Sequence, residues 1–216
     1  MEIKRTANAG VLLTLDGVTI LLDGVNQPLK PYLGTPVHIR QGLLQTPPDL
    51  VAFTHRHPDH CDVSFVSDYL QNAAGPIMGP ADIPFSSNSE RTVGGVKVTP
   101  VTNRHLGKAC DVQHMSFIIE GTRCVWFLGD ASPIPWKSRQ DLPRPDVVIA
   151  PFAYATAGGW DVIRIINPKA LVLVHMPPRD DDPVSLWEQV EYTVGQGNGP
   201  AVYIPEMGQR IRFAKV

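Results

Sequence analysis

The chain has 216 residues, a formal net charge of −2, and is 43% apolar and 19% charged, the composition of an ordinary globular protein long enough to bury a sizeable core. No apolar run approaches the roughly 18 residues of a membrane-spanning helix. The charge balance, with no long basic stretch, lacks the footprint that nucleic acid requires. The three cysteines, Cys61, Cys110 and Cys124, cannot all pair with one another and show no Cys-x-x-Cys spacing, which argues for a reducing compartment. Residues 1–5 enter a strand-like pattern without a signal-peptide core, so a cytoplasmic location is the expectation.

Residues 10–15 and 18–23 are two apolar runs joined by Asp16-Gly17, a two-residue hairpin signal. From 25 to 48 the sequence is irregular, with prolines at 28, 31, 36, 47 and 48. A long segment without periodicity is either functional or disordered. Since this one leads from a strand end toward a histidine cluster, it is expected to wall a substrate pocket, the alternative being a proline-stiffened surface excursion. Residues 50–53 read as a short buried strand. The stretch Thr54-His55-Arg56-His57-Pro58-Asp59-His60 follows, on the loop leaving that strand. Loops at that edge of an α/β sheet are where sites are normally built. Imidazole nitrogen and carboxylate oxygen are the usual ligands of a catalytic zinc, and other divalent metals take similar sets. With seven histidines in the whole chain, three within six positions are more than an ordinary polar turn explains.

Asp62 is placed to cap a helix running to Asn72, with Val63, Phe65, Val66, Tyr69 and Leu70 on one face and Gly75-Pro76 breaking it. Short strands follow at 77–78, 91–93 and 96–99, the last two turning at Gly94-Gly95. His105 comes just past a strand. His114 stands at the start of the strand 115–120 and reads as a pocket or surface residue. A second hairpin, 115–119 with 123–128, runs into Gly129-Asp130, where Asp130 is either a ligand or a helix cap; Pro133 weakens the cap. Residues 146–150 form another buried strand, 160–166 a short helix, and 169–174 an apolar strand with His175 at its end. A helix over 185–194 and strands at 201–204 and 209–213 complete two similar halves, with no sequence repeat.

The form His-x-His-x-Asp-His at 55–60, followed in order by His105, Gly129-Asp130 and His175, resembles the metallo-β-lactamase superfamily across essentially the whole chain. The resemblance implies an α/β (α+β) fold, the four-layer αβ/βα sandwich, as a single domain over residues 1–216 with metals at one edge of its two sheets. Position by position it implies His55, His57 and His105 on one metal, Asp59, His60 and His175 on a second, and Asp130 bridging both. Two divalent ions, zinc by expectation with manganese or iron as alternatives, would share a bridging water and lower its pKa toward neutrality. Asp59 and His60 are the catalytic candidates, and with a single metal bound Asp59 is free to orient the water as a base.

The function so implied is metal-dependent hydrolysis of a small-molecule ester, lactone or amide bond. A phosphodiesterase or nuclease-type hydrolase and a non-hydrolytic iron redox protein are the alternatives. Short length, the hairpin start and the Gly-Asp strand end look most like the branch that includes ascorbate-phosphate lactonase. The chain departs from other branches: Cys61-Asp62-Val63 stands where many relatives continue with a small residue and glycine, and the basic exosite arm of tRNA-processing relatives is not evident. Tyr154 and Trp160, flanking a flexible Ala157-Gly158-Gly159 loop, are candidate substrate contacts. Arg179 is another, for an anion, unless Asp180, Asp181 and Asp182 neutralise it. A small-molecule substrate is the expected partner, with neither nucleic acid nor membrane, and a homo-oligomer is left open.

Overall fold

The structure, a computed structural model, describes residues 1–72, 75–108, 112–139 and 141–214; Cys110 lies outside them. In chain order the elements are β1 (Glu2–Arg5), β2 (Val11–Leu15), β3 (Val18–Leu22), α1 (Val37–Gln45), β4 (Leu50–Ala52), α2 (Val63–Asn72) and β5 (Ile77–Met78). The second half comprises β6 (Arg91–Val93), β7 (Val96–Asn103), β8 (His114–Glu120), β9 (Cys124–Phe127), β10 (Val147–Pro151), α3 (Ala157–Ile166), β11 (Ala170–Val174), α4 (Leu186–Gly195), β12 (Ala201–Tyr203) and β13 (Arg210–Arg212).

The strands form two sheets, ordered β13-β1-β2-β3-β4-β5 and β12-β11-β10-β9-β8-β7-β6. Side chains alternate between the two faces of a strand, so each sheet serves two cores. In β10, Val147 and Ile149 join the central cluster between the sheets, while Val148 and Ala150 face the outer cluster with Trp160, Ile163 and Val190 of α3 and α4. On the far side of the first sheet, Leu21 and Val51 pack against Ile39 and Leu43 of α1 and Phe65, Val66 and Tyr69 of α2. The layers are therefore helix, sheet, sheet, helix, as the resemblance implied.

Strand direction explains why the chemistry gathers at one edge. β3 and β4 are parallel, and so are β9, β10 and β11. β7 and β9 each pair antiparallel with β8 and so run the same way. Their C-terminal ends, which carry Asp23, His55, His105, Asp130 and His175, thus share one rim. The start of β8 meets that rim too, which brings His114 there.

Two expectations are corrected. The 25–48 segment is not wholly irregular: residues 37–45 form α1, which has no side-chain cap, follows Pro36, and buries only Ile39 and Leu43. The Ala157-Gly158-Gly159 segment is the first turn of α3 rather than a loop over the site. Gly159 is required there, because a Cβ would run into the Ala153 carbonyl oxygen.

Candidate metal centre

The loop after β4 is shaped by its own backbone: the His60 and Cys61 amides both donate to the His57 carbonyl, at 3.0 and 2.9 Å. That turn aims His55, His57, Asp59 and His60 into one volume. Asp62 then accepts from the Ser64 amide at 2.9 Å and starts α2, as its position after the cluster suggested.

His55, His57 and His105 form one compact set of potential ligand atoms, and Asp59, His60 and His175 a second. In the first, His55 Nε2 lies 3.0 Å from His57 Nδ1 and 3.3 Å from His105 Nε2. In the second, Asp59 Oδ2 lies 3.0 Å from His175 Nε2 and 3.9 Å from His60 Nε2. Asp130 stands between them, its Oδ2 at 3.5 Å from His60 Nε2, 3.8 Å from His105 Nε2 and 3.7 Å from His175 Nε2. The structure thus brings together all seven residues expected to hold metal.

Tautomers are set from behind. Thr54 donates its hydroxyl proton to Asp23 Oδ2 at 2.6 Å, so its oxygen accepts from His55 Nδ1–H at 2.9 Å. His60 Nδ1–H donates to the same Asp23 oxygen at 2.9 Å, and His105 Nδ1–H donates to the Leu106 carbonyl at 2.7 Å. A neutral imidazole has one donor and one acceptor nitrogen. With Nδ1 as the donor, neutral His55 and His105 present Nε2 lone pairs inward, and His60 aims its Nε2 into the same volume. Lone pairs 3.3 Å apart repel unless a cation lies between them. Ligands at 2.0–2.1 Å from one tetrahedral ion stand about 3.4 Å apart, close to the observed spacing. His60 Nε2 and Asp130 Oδ1 are buried without a hydrogen-bond partner, a state that costs stability unless an unseen partner satisfies it. The donor set fits divalent metal.

Asp23 was not singled out from sequence. It follows β3, is fully buried, and takes the Thr54 amide at 2.7 Å besides the Thr54 hydroxyl and His60. A third grouping, Asp23 with His55 and His60, is not a separate metal site, because these bonds already occupy the Asp23 oxygens. The available signal was an acid directly after an apolar strand, next to the strand that precedes the histidine cluster. Both Asp23 and His175 have left-handed backbone, φ 45° and 59°, a departure tolerated where the surroundings enforce it.

The electrostatics follow from burial and close charges. Burial lowers the pKa of His55 strongly, and burial with His105 lowers that of His57. Burial opposes charge on His60, but Asp130 and Asp23 outweigh it and hold its pKa well above the ordinary value. Asp130 is likewise buried, yet His175, His60 and His55 pull its pKa well below the carboxylate range. Asp59 is lowered because His175 and His60 outweigh its burial.

His114 is neither on the surface nor among the ligand sets. It is buried with its ring 5.0 Å from that of His55, and its Nδ1–H donates to Asn103 Oδ1 at 2.6 Å. Burial pushes its pKa down to about 3, so it is neutral. Cys61 is also buried, its thiol pushed up to about 12 by burial and by Asp23, which makes it an inert neighbour.

Of the three expected substrate contacts, Tyr154 and Trp160 are packed in the protein interior, whereas Arg179 is exposed and already paired. Tyr154 is fully buried and donates its hydroxyl to the Ala131 carbonyl at 3.0 Å, supporting the segment that carries Asp130. Trp160 is 6% exposed and packs in the outer core. Arg179 pairs with Glu191 at 2.9 Å and lies 3.9 Å over the Trp187 ring, so Glu191 rather than Asp180, Asp181 or Asp182 neutralises it.

Among solved structures the fold is similar to isothiocyanate hydrolase from Delia radicum gut bacteria, with a TM-score of 0.75, 16% identity and 99% of each chain covered. It is similar to a possible metal-dependent hydrolase from Veillonella parvula, with a TM-score of 0.73, 20% identity and 98% of each chain covered. The diiron β-hydroxylase CmlA from Streptomyces venezuelae shares it at a TM-score of 0.65 and 14% identity, over 98% of this chain and 54% of that one. No curated protein matches the sequence. A family model described as Beta-lactamase superfamily domain matches residues 2–175. With that match over most of its length and the four-layer fold around the histidine and aspartate rim, the chain belongs to the β-lactamase superfamily.

Proposed function

We propose that the protein is a binuclear metal-dependent hydrolase that cleaves an ester, lactone or amide bond in a small molecule. His55, His57 and His105 would hold one ion, Asp59, His60 and His175 the other, with Asp130 shared. The observation that carries this reading is the position of Asp130 Oδ2, within 3.5 to 3.8 Å of an imidazole nitrogen from both sets. When bound, two divalent ions supply a water activated near neutral pH and Lewis acidity toward a substrate oxygen.

The chain's own residues supply orientation and charge. Asp23 and Thr54 hold His55 and His60 with their Nε2 atoms aimed inward. Asp59, kept ionised by His175 and His60, is a ligand to the second ion and the proton acceptor if only one ion is present. Support for hydrolysis comes from the family and from similarly folded hydrolases; zinc and the lactonase-like branch remain our reading of the ligand types and chain length.

Elemental analysis of the purified protein, beside turnover of a lactone, an aryl ester and bis-nitrophenyl phosphate, tests this. About two equivalents of zinc or manganese with lactone or ester turnover support it. Phosphodiester turnover alone replaces the substrate class. Iron without hydrolysis moves the protein to redox chemistry, which the fold also hosts in the diiron hydroxylase. No bound metal would reject the ligand assignment.

A further inference from the structure

A cavity of 280 Å³ opens next to Met176, the residue after His175, and none of the seven candidate ligands lines it. It adjoins the metal centre through contacts to His175. Tyr32, in its wall, meets the His175 ring edge-on with centroids 4.4 Å apart. Met176 follows His175, and Asn8, also in the wall, accepts the His175 amide at 3.0 Å through its carbonyl. The remaining surface is largely apolar, with Leu33, Trp187, Ile204 and Met207 contributing.

The wall is pre-formed. Asn26, 3% exposed, donates to the Leu33 carbonyl at 3.1 Å and accepts the Asn8 amide at 3.2 Å, tying the proline-rich segment to the loop after β1. Leu33 nevertheless leaves its side chain 68% exposed beside the cavity, a cost in water that a bound apolar group would relieve. The polar groups are few. The Arg5 guanidinium is spent on the Ala7, Asn8 and Pro205 carbonyls, at 3.2, 3.2 and 3.0 Å. Arg179 is paired with Glu191, whereas Glu206 adds a carboxylate to the lining, which disfavours an anion.

We propose that this cavity is a substrate subsite for the aryl or branched-alkyl group of a small uncharged substrate whose scissile bond lies at the metal centre. A dry apolar cavity of about 150 Å³ holds benzene, so 280 Å³ accommodates a ring with a short chain. The substrate class rests on the hydrolase reading; the apolar selectivity of the cavity does not.

The test uses the full-length metal-loaded protein with the p-nitrophenyl esters of acetate, butyrate, hexanoate and phenylacetate, and follows binding of neutral 2-phenylacetamide by ligand-observed NMR. Transfer of a methylene from water corresponds to about fourfold in kcat/KM, so efficiency should climb along the series. Leu33→Asp, at an exposed position, and Met207→Trp, which narrows the cavity, should each lower the phenylacetate-to-acetate ratio of kcat/KM at least tenfold, and weaken 2-phenylacetamide binding similarly. Turnover without size dependence, or variants with unchanged ratio, would overturn the proposal. If no ester is turned over, turnover says nothing of the cavity and the amide decides: saturable binding weakened in both variants sustains the subsite, and absence of binding overturns it.

Discussion

His60 donates its Nδ1 proton to Asp23 Oδ2 at 2.9 Å, while Thr54 donates to the same oxygen at 2.6 Å and passes the constraint on to His55. One buried carboxylate thus orients an imidazole in each ligand set. Partners of this kind fix the tautomer of a metal-binding histidine and raise its basicity.

Asp23→Ala should therefore lower metal affinity by about 10–100-fold, the usual cost of losing such a partner. It should also destabilise the fold by about 1–3 kcal/mol, because the buried Thr54 amide loses its acceptor. Asp23→Asn, which can keep that acceptor, should recover most of the stability but not the affinity. Competition against a chromophoric chelator and urea denaturation read the two effects separately. Unchanged affinity in both variants would remove Asp23 from the centre.

Asp130→Ala takes away an oxygen near both sets, so bound metal should fall below half of the wild-type content and hydrolysis should be lost with it. Chelation of the wild-type protein should lower Tm as well, since an ion present at about 1,000 times its Kd contributes roughly 4 kcal/mol to the native state. Full activity in metal-free Asp130→Ala protein would refute the ligand assignment.

Gly129 sits at φ 52° directly before Asp130, and a Cβ there would lie 2.5 Å from Thr54 Cγ2 and 2.6 Å from its hydroxyl oxygen. Gly129→Ala should displace Thr54 from between Asp23 and His55, besides straining the backbone by about 1 kcal/mol or more. The expected result is weaker metal binding in a protein that still folds, seen as reduced metal stoichiometry with a native circular dichroism spectrum. Wild-type stoichiometry would show that Thr54 tolerates the methyl group.

Away from the centre, Asp146 accepts from the Cys124 amide at 3.0 Å and from Lys169 Nζ at 2.7 Å, linking the starts of three neighbouring strands. Burial raises its pKa, but the Lys169 and Cys124 bonds outweigh it and the net shift is downward. A carboxylate whose folded pKa is depressed contributes stability above its unfolded pKa of about 3.9, and that contribution is lost as pH falls through the folded value. Asp146→Asn should cost about 1 kcal/mol at pH 7 and progressively less below pH of about 4. Urea midpoints measured from pH 3 to 7 check the slope; a difference constant with pH would mean that ionisation of Asp146 plays no part.

Where the sequence misled, local pattern and tertiary contact disagreed. Ala157-Gly158-Gly159 reads as a loop because glycine disfavours helix, yet the close approach of Gly159 to the Ala153 carbonyl makes that residue necessary to the first turn of α3. α1 was hidden for the opposite reason, since only Ile39 and Leu43 of its nine residues are buried and no strong periodicity marks it. Tyr154 beside a glycine pair suggested a substrate contact, but its hydroxyl had a backbone acceptor waiting at Ala131.

By itself the sequence determined the strands, because burial on one or both faces writes a local pattern of apolar residues, and it determined which strands end in histidine or aspartate. Through the resemblance to the metallo-β-lactamase superfamily that they carry, those features anticipated the four-layer fold and the residues that meet at its rim. Only the tertiary structure decided that Asp23 serves both histidine sets, that Arg179 is neutralised by Glu191, and that Tyr32 and Asn8 join His175 to an apolar cavity. Each of these is a side-chain meeting between segments distant in the chain. Their partners are chosen by sheet order and rotamer in three dimensions, on which neighbouring residues carry no periodic mark.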